Sequence, residues 1–322
     1  MRILVTGAGG FIGSHLVRYL KERGYWVRGV DLKEPEWSPS AADEFYQLDL
    51  RTYVNALVSM LDIEQVYALA ADMGGMGFVG SGEHDLDIVR NNTTINLNTL
   101  EAARAVSVDR YLFTSSACVY NELLQMDVDV LPLREADAYP AQPDTEYGWE
   151  KLYTERLCAL YQEHADVPMR IARFHNIFGP EGTWAGGREK LPAAACRKVA
   201  MAKLTGDHNV EIWGDGLPTR SFCYIDDCLE MLYLLMQSDY DGPMNIGTDR
   251  PVGVNEVFDI VAAIAGIEIE KVYVPGPQGV RGRNADLTLM REVLGYEPQA
   301  SLEDGLERTY RWVENQVRQS KT

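Results

Sequence analysis

Positive charge is what the chain has least of. Its 322 residues hold 30 lysines and arginines against 48 aspartates and glutamates, a formal net charge of −18. A field of that sign repels phosphate backbones and argues against nucleic acid as a partner. An anionic small molecule would have to be met by arginines and lysines gathered locally. Cysteine is also sparse, with five residues at positions 118, 158, 196, 223 and 228. No CxxC pair or Cys/His ligand spacing occurs, so no metal site is expected. Scattered thiols in odd number suit a reducing, cytoplasmic setting. No apolar run reaches membrane-spanning length, and the chain enters a strand pattern at Arg2-Ile3-Leu4-Val5 without a secretory signal. Internal repeats, low-complexity stretches and long linkers are absent. The length suits one large two-part domain or two ordinary ones.

What is present begins with glycine. Gly7-Ala8-Gly9-Gly10-Phe11-Ile12-Gly13 follows a short apolar run and precedes a helical pattern with Leu16, Val17 and Leu20 on one face. Gly7 permits the tight turn. Gly10 lets backbone N–H groups approach a pyrophosphate at the helix N-terminus, and Gly13 lets the helix pack closely on the sheet. A second strand, Trp26–Val30, ends at Asp31, which can accept both ribose hydroxyls of NAD and would repel the extra phosphate of NADP. NAD is therefore the expected cofactor. Residues 44–50 read as a third strand carrying Asp49 and Leu50 toward the adenine. Residues 65–71 read as a fourth, with Leu69, Ala70 and Ala71 near the nicotinamide half, and 110–116 as a fifth. Helical patterns separate them, notably 92–105. The alternation predicts an α/β fold, a Rossmann-type doubly wound parallel sheet with ligands at the strand C-termini.

The fifth strand leads into Ser115-Ser116-Ala117-Cys118-Val119-Tyr120, and Tyr147-Gly148-Trp149-Glu150-Lys151 follows. On a helix, Tyr147 and Lys151 share a face. An ammonium beside a phenol is expected to lower the phenol from its usual pKa of roughly 10. The resulting base could take a proton from a hydroxyl held by Ser116 while NAD takes the hydride.

With these motifs the chain resembles the extended short-chain dehydrogenase/reductase family, which includes nucleotide-sugar epimerases and dehydratases. The resemblance implies an NAD-binding domain over 1–175, rejoined by 220–250. It implies a smaller C-terminal α/β substrate domain, mainly 176–322, and a homodimer formed through the helices near Asn92 and Tyr147. Dehydratases of the family carry an Asp-Glu pair where this chain has Ala117 and Cys118. A thiol there can act on a carbon-bound proton once a neighbouring ketone has acidified it. Further strings point to one branch. They are Ala71-Asp72-Met73-Gly74-Gly75-Met76-Gly77-Phe78, Arg173-Phe174-His175-Asn176-Ile177-Phe178-Gly179-Pro180, the run 182–190 ending Gly186-Gly187-Arg188-Glu189-Lys190, Trp213-Gly214-Asp215-Gly216, and 275–284 with Arg281 and Arg283. Together they resemble the members that invert C3 and C5 of a GDP-linked sugar, GDP-mannose.

Carried over on that resemblance, Tyr147 is the base for oxidation at C4, and Lys151 supports it. Cys118 and Lys190 are the acid/base pair at C3 and C5. Ser116, Asn176, Glu189 and Gly74-Gly75-Met76 hold the sugar and diphosphate. Lys198, Arg220 and either Arg281 or Arg283 hold the nucleotide. Cys158, Cys196, Cys223 and Cys228 read as packing thiols, His175 as a satisfied core histidine, and Trp184 and Trp213 as packing or nucleotide-stacking residues. The segment 121–132 departs from the family pattern and is expected to loop over the sugar. Three other readings stay open: a GDP-heptose 3,5-epimerase, a UDP-sugar 4-epimerase, and an NAD-binding regulator without activity. In the second half, helices are expected at 191–202, 255–265 and 302–317, and strands at 210–213 and 244–247. A further helix is expected to be capped by Asp226.

Overall fold

Four aliphatic or β-branched residues, each fully buried, follow Arg2. Such a run suits a strand covered on both faces. In the computed structural model, which describes residues 1–277 and 279–320, it forms β1 (Arg2–Thr6) near the middle of a seven-stranded sheet. The chain continues through α1 (Phe11–Glu22), β2 (Trp26–Asp31), β3 (Glu44–Gln47), α2 (Tyr53–Met60) and β4 (Gln65–Ala68). It then forms a single turn, α3 (Met76–Val79), followed by α4 (Asp85–Val106), β5 (Arg110–Ser116), α5 (Glu146–Ala165) and β6 (Met169–Phe174). The second half runs β7 (Ile177–Phe178), α6 (Leu191–Thr205), β8 (Asn209–Trp213), β9 (Thr219–Arg220), β10 (Cys223–Tyr224), α7 (Ile225–Gln237) and β11 (Pro243–Ile246). It closes with β12 (Val252–Gly253), α8 (Val254–Ala265), β13 (Glu270–Val274), β14 (Gly282–Arg283), α9 (Thr288–Leu294) and α10 (Leu302–Ser320).

The large sheet has the order β11-β6-β5-β4-β1-β2-β3, and all its pairings are parallel. The chain steps outward from β1 to β3, then returns to β4 on the other side. The switch point, where such sheets open a ligand crevice, therefore lies between β1 and β4. Alternate side chains serve opposite faces. Ile3, Val5, Tyr67 and Leu112 pack with Leu16, Val17 and Leu20 of α1 and Leu229 and Leu232 of α7. Leu4, Val66, Tyr111 and Phe113 pack with Ala56 and Met60 of α2, Leu100 of α4 and Cys158 of α5. Three small sheets complete the second half: β8 with β13, β7 with β10, and β12-β9-β14. There α6, α8 and α10 share one apolar interior.

Several boundaries move from the sequence expectation. The third strand stops at Gln47 and the fourth at Ala68. Beyond Ala68 the N–H groups of Leu69 and Ala70 donate to the Thr6 hydroxyl, both at 3.0 Å, instead of to a neighbouring strand. The helix expected from Asn92 starts at Asp85, with Asp85 and Asp87 in its first turn, where acids complement the helix dipole. Asp226 does not cap α7. Tyr224 occupies the cap position without a side-chain bond. Asp226 instead pairs with Arg308, and the buried Asp227 accepts bonds from Tyr296, Gln299 and Ala300 that fasten the approach to α10. The segment from 121 begins as a short 3-10 turn, Glu122–Gln125, with Gln125 fully buried. Gln278, within the 275–284 string, lies outside the described residues.

Candidate active site

The N-terminal end of α1 is built for close approach. Gly7 has φ +70°, and a Cβ there would meet the Ala70 nitrogen at 2.9 Å. A Cβ on Gly13 would sit 2.0 Å from the Gly7 carbonyl oxygen, so the helix can rest on the turn only without a side chain. No side chain caps α1, which leaves its first N–H groups facing a groove lined by Gly9, Gly10, Phe11, Ser14, Lys33 and Thr183. Unpartnered N–H groups and a positive helix end fit a pyrophosphate. Asp31 is fixed beside them, accepting from the Gly9 N–H at 2.9 Å and the Leu32 N–H at 2.6 Å. Ile12 opens the helix next to Phe11 and packs on the core. Asp49 stands just past β3 with its carboxylate on Arg51 at 2.7 Å, and Leu50 is buried behind it. Leu69, Ala70 and Ala71 follow the end of β4, across the switch point. These residues fit a dinucleotide stretched over the sheet edge.

The position of α5 is set by its neighbours. Thr145 caps α5 through the Gly148 N–H at 3.1 Å. A Cβ on Gly148 would lie 2.2 Å from the Cys118 carbonyl oxygen, so α5 presses directly on the turn after β5. In that turn the Ser116 hydroxyl accepts from the Cys118 N–H at 3.2 Å and also bonds the Tyr147 phenol. Lys151 is buried, 5.6 Å from the Tyr147 ring centre, and donates to the Thr114 carbonyl at 3.1 Å. The expected lowering of the phenol by Lys151 does not appear. Burial pushes Tyr147 well above the ordinary tyrosine range. Cys118 and Glu150 add to the rise, and only the Ser116 bond opposes it. Burial likewise pushes Lys151 down. Desolvation by the apolar surround outweighs the neighbouring charge.

The remaining side chains come from far apart in the chain. Lys190 occupies the cap position of α6, half-buried, and is pushed below the usual lysine range by burial, with Cys118 and Cys228 opposing that shift. Gly75 donates to the Arg188 carbonyl at 2.9 Å, and a Cβ on it would be 2.2 Å from the Glu189 carbonyl oxygen. The Gly74-Gly75-Met76 segment thus lies against the 188–190 backbone. Glu189 accepts from the Gly187 N–H at 2.7 Å and pairs with Arg197 at 2.8 Å. Asn176 has φ +46° and donates to the Ser221 carbonyl at 2.8 Å.

The arginines divide by direction. Arg283 turns inward, donating to Cys118 Sγ at 3.3 Å, to Asp144 at 3.3 Å and to Gln125. Burial lowers it, but Cys118 and Asp144 more than compensate and hold it above its ordinary value. Arg281 turns outward to Asp215 at 3.0 Å. Among the described residues Arg220 bonds carbonyls alone, those of Thr219, Val280 and Arg281, and burial with Arg283 nearby brings it down to about 9. A desolvated guanidinium on neutral acceptors favours an incoming anion. Lys198 lies farther out, donating to the Glu211 carbonyl at 2.6 Å and 6.0 Å from the exposed Trp213 ring.

His175 is fully buried, with Nε2 2.8 Å from Asn245, while Nδ1 has no partner; burial brings it down to about 3. It is a neutral core residue, only half satisfied. Three residues at the site went unflagged by sequence reasoning: Gly9, Gln125 and Asp144. Gly9 belongs to the glycine run but falls outside the every-third spacing. A Cβ on it would meet the Lys33 carbonyl oxygen at 2.0 Å. Nothing local marks the other two. Among the described residues no helix is long and apolar enough to cross a membrane, and no group of three potential metal ligands occurs.

A glycine-built dinucleotide cradle facing a tyrosine–lysine pair defines a Rossmann-type, dinucleotide-dependent enzyme. The chain belongs to the NAD dependent epimerase/dehydratase family, whose model matches residues 3–247, and its cofactor is NAD. It is 47% identical over 324 residues to GDP-mannose 3,5-epimerase 1 of Oryza sativa subsp. indica, spanning 100% of this chain and 84% of that one. It is 46% identical over 323 residues to GDP-mannose 3,5-epimerase of Arabidopsis thaliana, with the same coverage. Among solved structures it is similar to UDP-glucose 4-epimerase of Thermotoga maritima, with UDP-glucose (TM-score 0.87, 28% identity, 98% of this chain and 100% of that one). UDP-glucuronic acid 4-epimerase of Bacillus cereus, solved with UDP-glucuronic acid and NAD, gives a TM-score of 0.82 at 28% identity, over 98% and 100% of the two chains.

Proposed function

We propose that this chain is an NAD-dependent isomerase that inverts C3 and C5 of GDP-mannose, giving GDP-L-galactose through a transient 4-ketone. The observation that carries it is Cys118 packed against Tyr147 and bonded through its N–H to Ser116, in a wall where Lys190 follows the backbone that lies against Gly75. A simple 4-epimerase needs no acid/base pair at ring carbons. The plant relatives share 46–47% of their residues with this chain, against 28% for the UDP-sugar 4-epimerase structures.

Bound NAD supplies the hydride acceptor and donor for C4. Tyr147 takes the C4 hydroxyl proton, with Ser116 holding the same oxygen and Lys151 placed behind it. The 4-ketone acidifies the protons on both adjacent carbons. One of Cys118 and Lys190 removes such a proton, and the other returns one to the opposite face. Burial pushes Lys190 below the usual lysine range, which eases its loss and recovery of a proton. Arg220 and Lys198 supply cations for the diphosphate and nucleotide, with Arg281 at the rim. Asn176, Glu189 and Gly74-Gly75-Met76 line the sugar. Residues 1–175 with 220–250 form the NAD-binding part and the rest of 176–322 the substrate part. The outward apolar side chains of α4 (Leu86, Leu97) and α5 (Trp149, Tyr153, Leu160) support a homodimer through these helices. A cytoplasmic setting fits the five free thiols.

The test is incubation with GDP-mannose in deuterated water, followed by proton NMR and mass. Deuterium at C3 and C5 with L-galactose-type signals is the expected result. No exchange while NAD remains bound would remove GDP-mannose as the substrate and turn attention to GDP-heptoses.

A further inference from the structure

Arg283 is badly placed to be a nucleotide ligand. Its three donor atoms are directed at Gln125, Cys118 and Asp144, and its side chain is 6% exposed. Gln125 comes from the 3-10 turn after the fifth strand, Asp144 from the approach to α5, and Arg283 from β14, so three separate segments meet on one guanidinium. The partner at its tip is the half-buried sulfur of Cys118. Asp144 is 8% exposed, and among the described residues its second oxygen has no partner, which leaves Arg283 as the group it pairs with. The ionisable groups around Cys118 are Tyr147 from α5, Lys190 at the start of α6, Arg220 from β9 and Arg283 from β14. Among the described residues, Arg283 is the one of these that hydrogen-bonds the sulfur.

We propose that Arg283, held by Asp144 and Gln125, is a positioning residue for Cys118. It aims the sulfur at the sugar and meets the negative charge on sulfur whenever the thiol proton is away. This rests on the reading of Cys118 as an acid/base at C3 and C5. In the step it serves, the carbon–hydrogen bond breaks, its electron pair passes into the enolate of the 4-ketone, and the proton forms the S–H bond. The reverse transfer consumes that S–H bond as the carbon–hydrogen bond re-forms. A guanidinium bonded to the sulfur stabilises the side of that exchange in which sulfur is charged. Asp144 keeps the guanidinium from swinging toward the diphosphate, which is left to Arg220.

The experiment compares the unaltered protein with Arg283→Gln, Arg283→Lys and Asp144→Asn, each checked for retained NAD. The pH dependence of Cys118 alkylation by iodoacetamide is followed by mass spectrometry and needs no sugar. The expected result for Arg283→Gln is alkylation slowed about tenfold near neutrality, because the sulfur loses the guanidinium bonded to it. Deuterium wash-in at C3 and C5 falls with it, while KM for GDP-mannose is unchanged. Arg283→Lys restores part of the rate, and Asp144→Asn moves the profile in the same direction by less. An unchanged alkylation profile with a raised KM would overturn the proposal and return Arg283 to the nucleotide. If Arg283→Gln fails to retain NAD, the Asp144→Asn profile decides in the same way. A shifted profile in a protein that never turns over GDP-mannose would sink the substrate reading and leave the Arg283–Cys118 link standing.

Discussion

The dinucleotide cradle and the wall proposed to face the sugar are assembled from different materials. The cradle uses backbone: Gly7, Gly9, Gly10 and Gly13 clear space, and Asp31 is fixed by N–H groups from Gly9 and Leu32. All of it lies within residues 6–33, in one strand–helix–strand unit. The wall uses side chains. Cys118 and Arg283, in contact, are 165 positions apart, and Lys190 and Arg220 arrive from two further segments. Backbone N–H groups recognise any pyrophosphate, whereas a thiol, an amine and a guanidinium around one point suit a particular proton transfer. The cradle therefore sets which cofactor binds, and the wall sets what is done with it.

Substitutions on the wall should stop chemistry and spare the cofactor. Tyr147→Phe removes the phenol oxygen that, as phenolate, would take the C4 hydroxyl proton, and turnover should fall by about 10²–10⁴-fold. Assay of GDP-mannose conversion checks it, with NAD content unchanged; a fall of less than about tenfold would remove Tyr147 from that role. Lys190→Ala and Cys118→Ala should each cut deuterium wash-in at C3 and C5 by about 10²-fold or more while C4 oxidation persists in a single turnover. If either variant loses NAD instead, the two regions are not separable.

Substitution in the cradle should do the reverse. Gly13→Val drives side-chain atoms into the Gly7 carbonyl, which a Cβ alone would approach to 2.0 Å. The protein should lose about 1–3 kcal/mol and copurify without NAD, read by denaturant melting and cofactor content. Retention of full NAD would show that the turn can yield.

The last effect is confined to acid and does not touch either region's chemistry at neutral pH. Burial brings His175 down to about 3 in the fold, from an ordinary histidine value of roughly 6.5. Between these values the unfolded chain takes a proton that the fold refuses. Stability from this residue is complete above about pH 6.5 and declines as pH falls toward 3, at up to roughly 1.4 kcal/mol per unit. Denaturant melts across that window should show a shallower slope in His175→Gln. An unchanged slope would mean that the histidine is protonated in the fold.

Sequence alone determined the parallel sheet and the NAD cofactor, and it named the glycine turn and the Tyr147–Lys151 spacing, because each depends on short-range order. A glycine turn between a strand and a helix, an acid at the next strand end and a four-residue helical spacing are all local. Strand ends were misplaced at Gln47 and Ala68 because they depend on where neighbouring strands stop and on the Thr6 hydroxyl. Tertiary structure alone decided that Arg283 bonds Cys118 while Arg281, two residues earlier, pairs with Asp215 at the rim. Alternating side chains in a strand pattern point opposite ways, but both arginines occupy the same parity, so alternation could not separate them. Burial was equally invisible to the sequence. Its desolvation, and not the nearby lysine, governs the Tyr147 phenol, because the low-dielectric surround exists only once the distant strands and helices have closed around it.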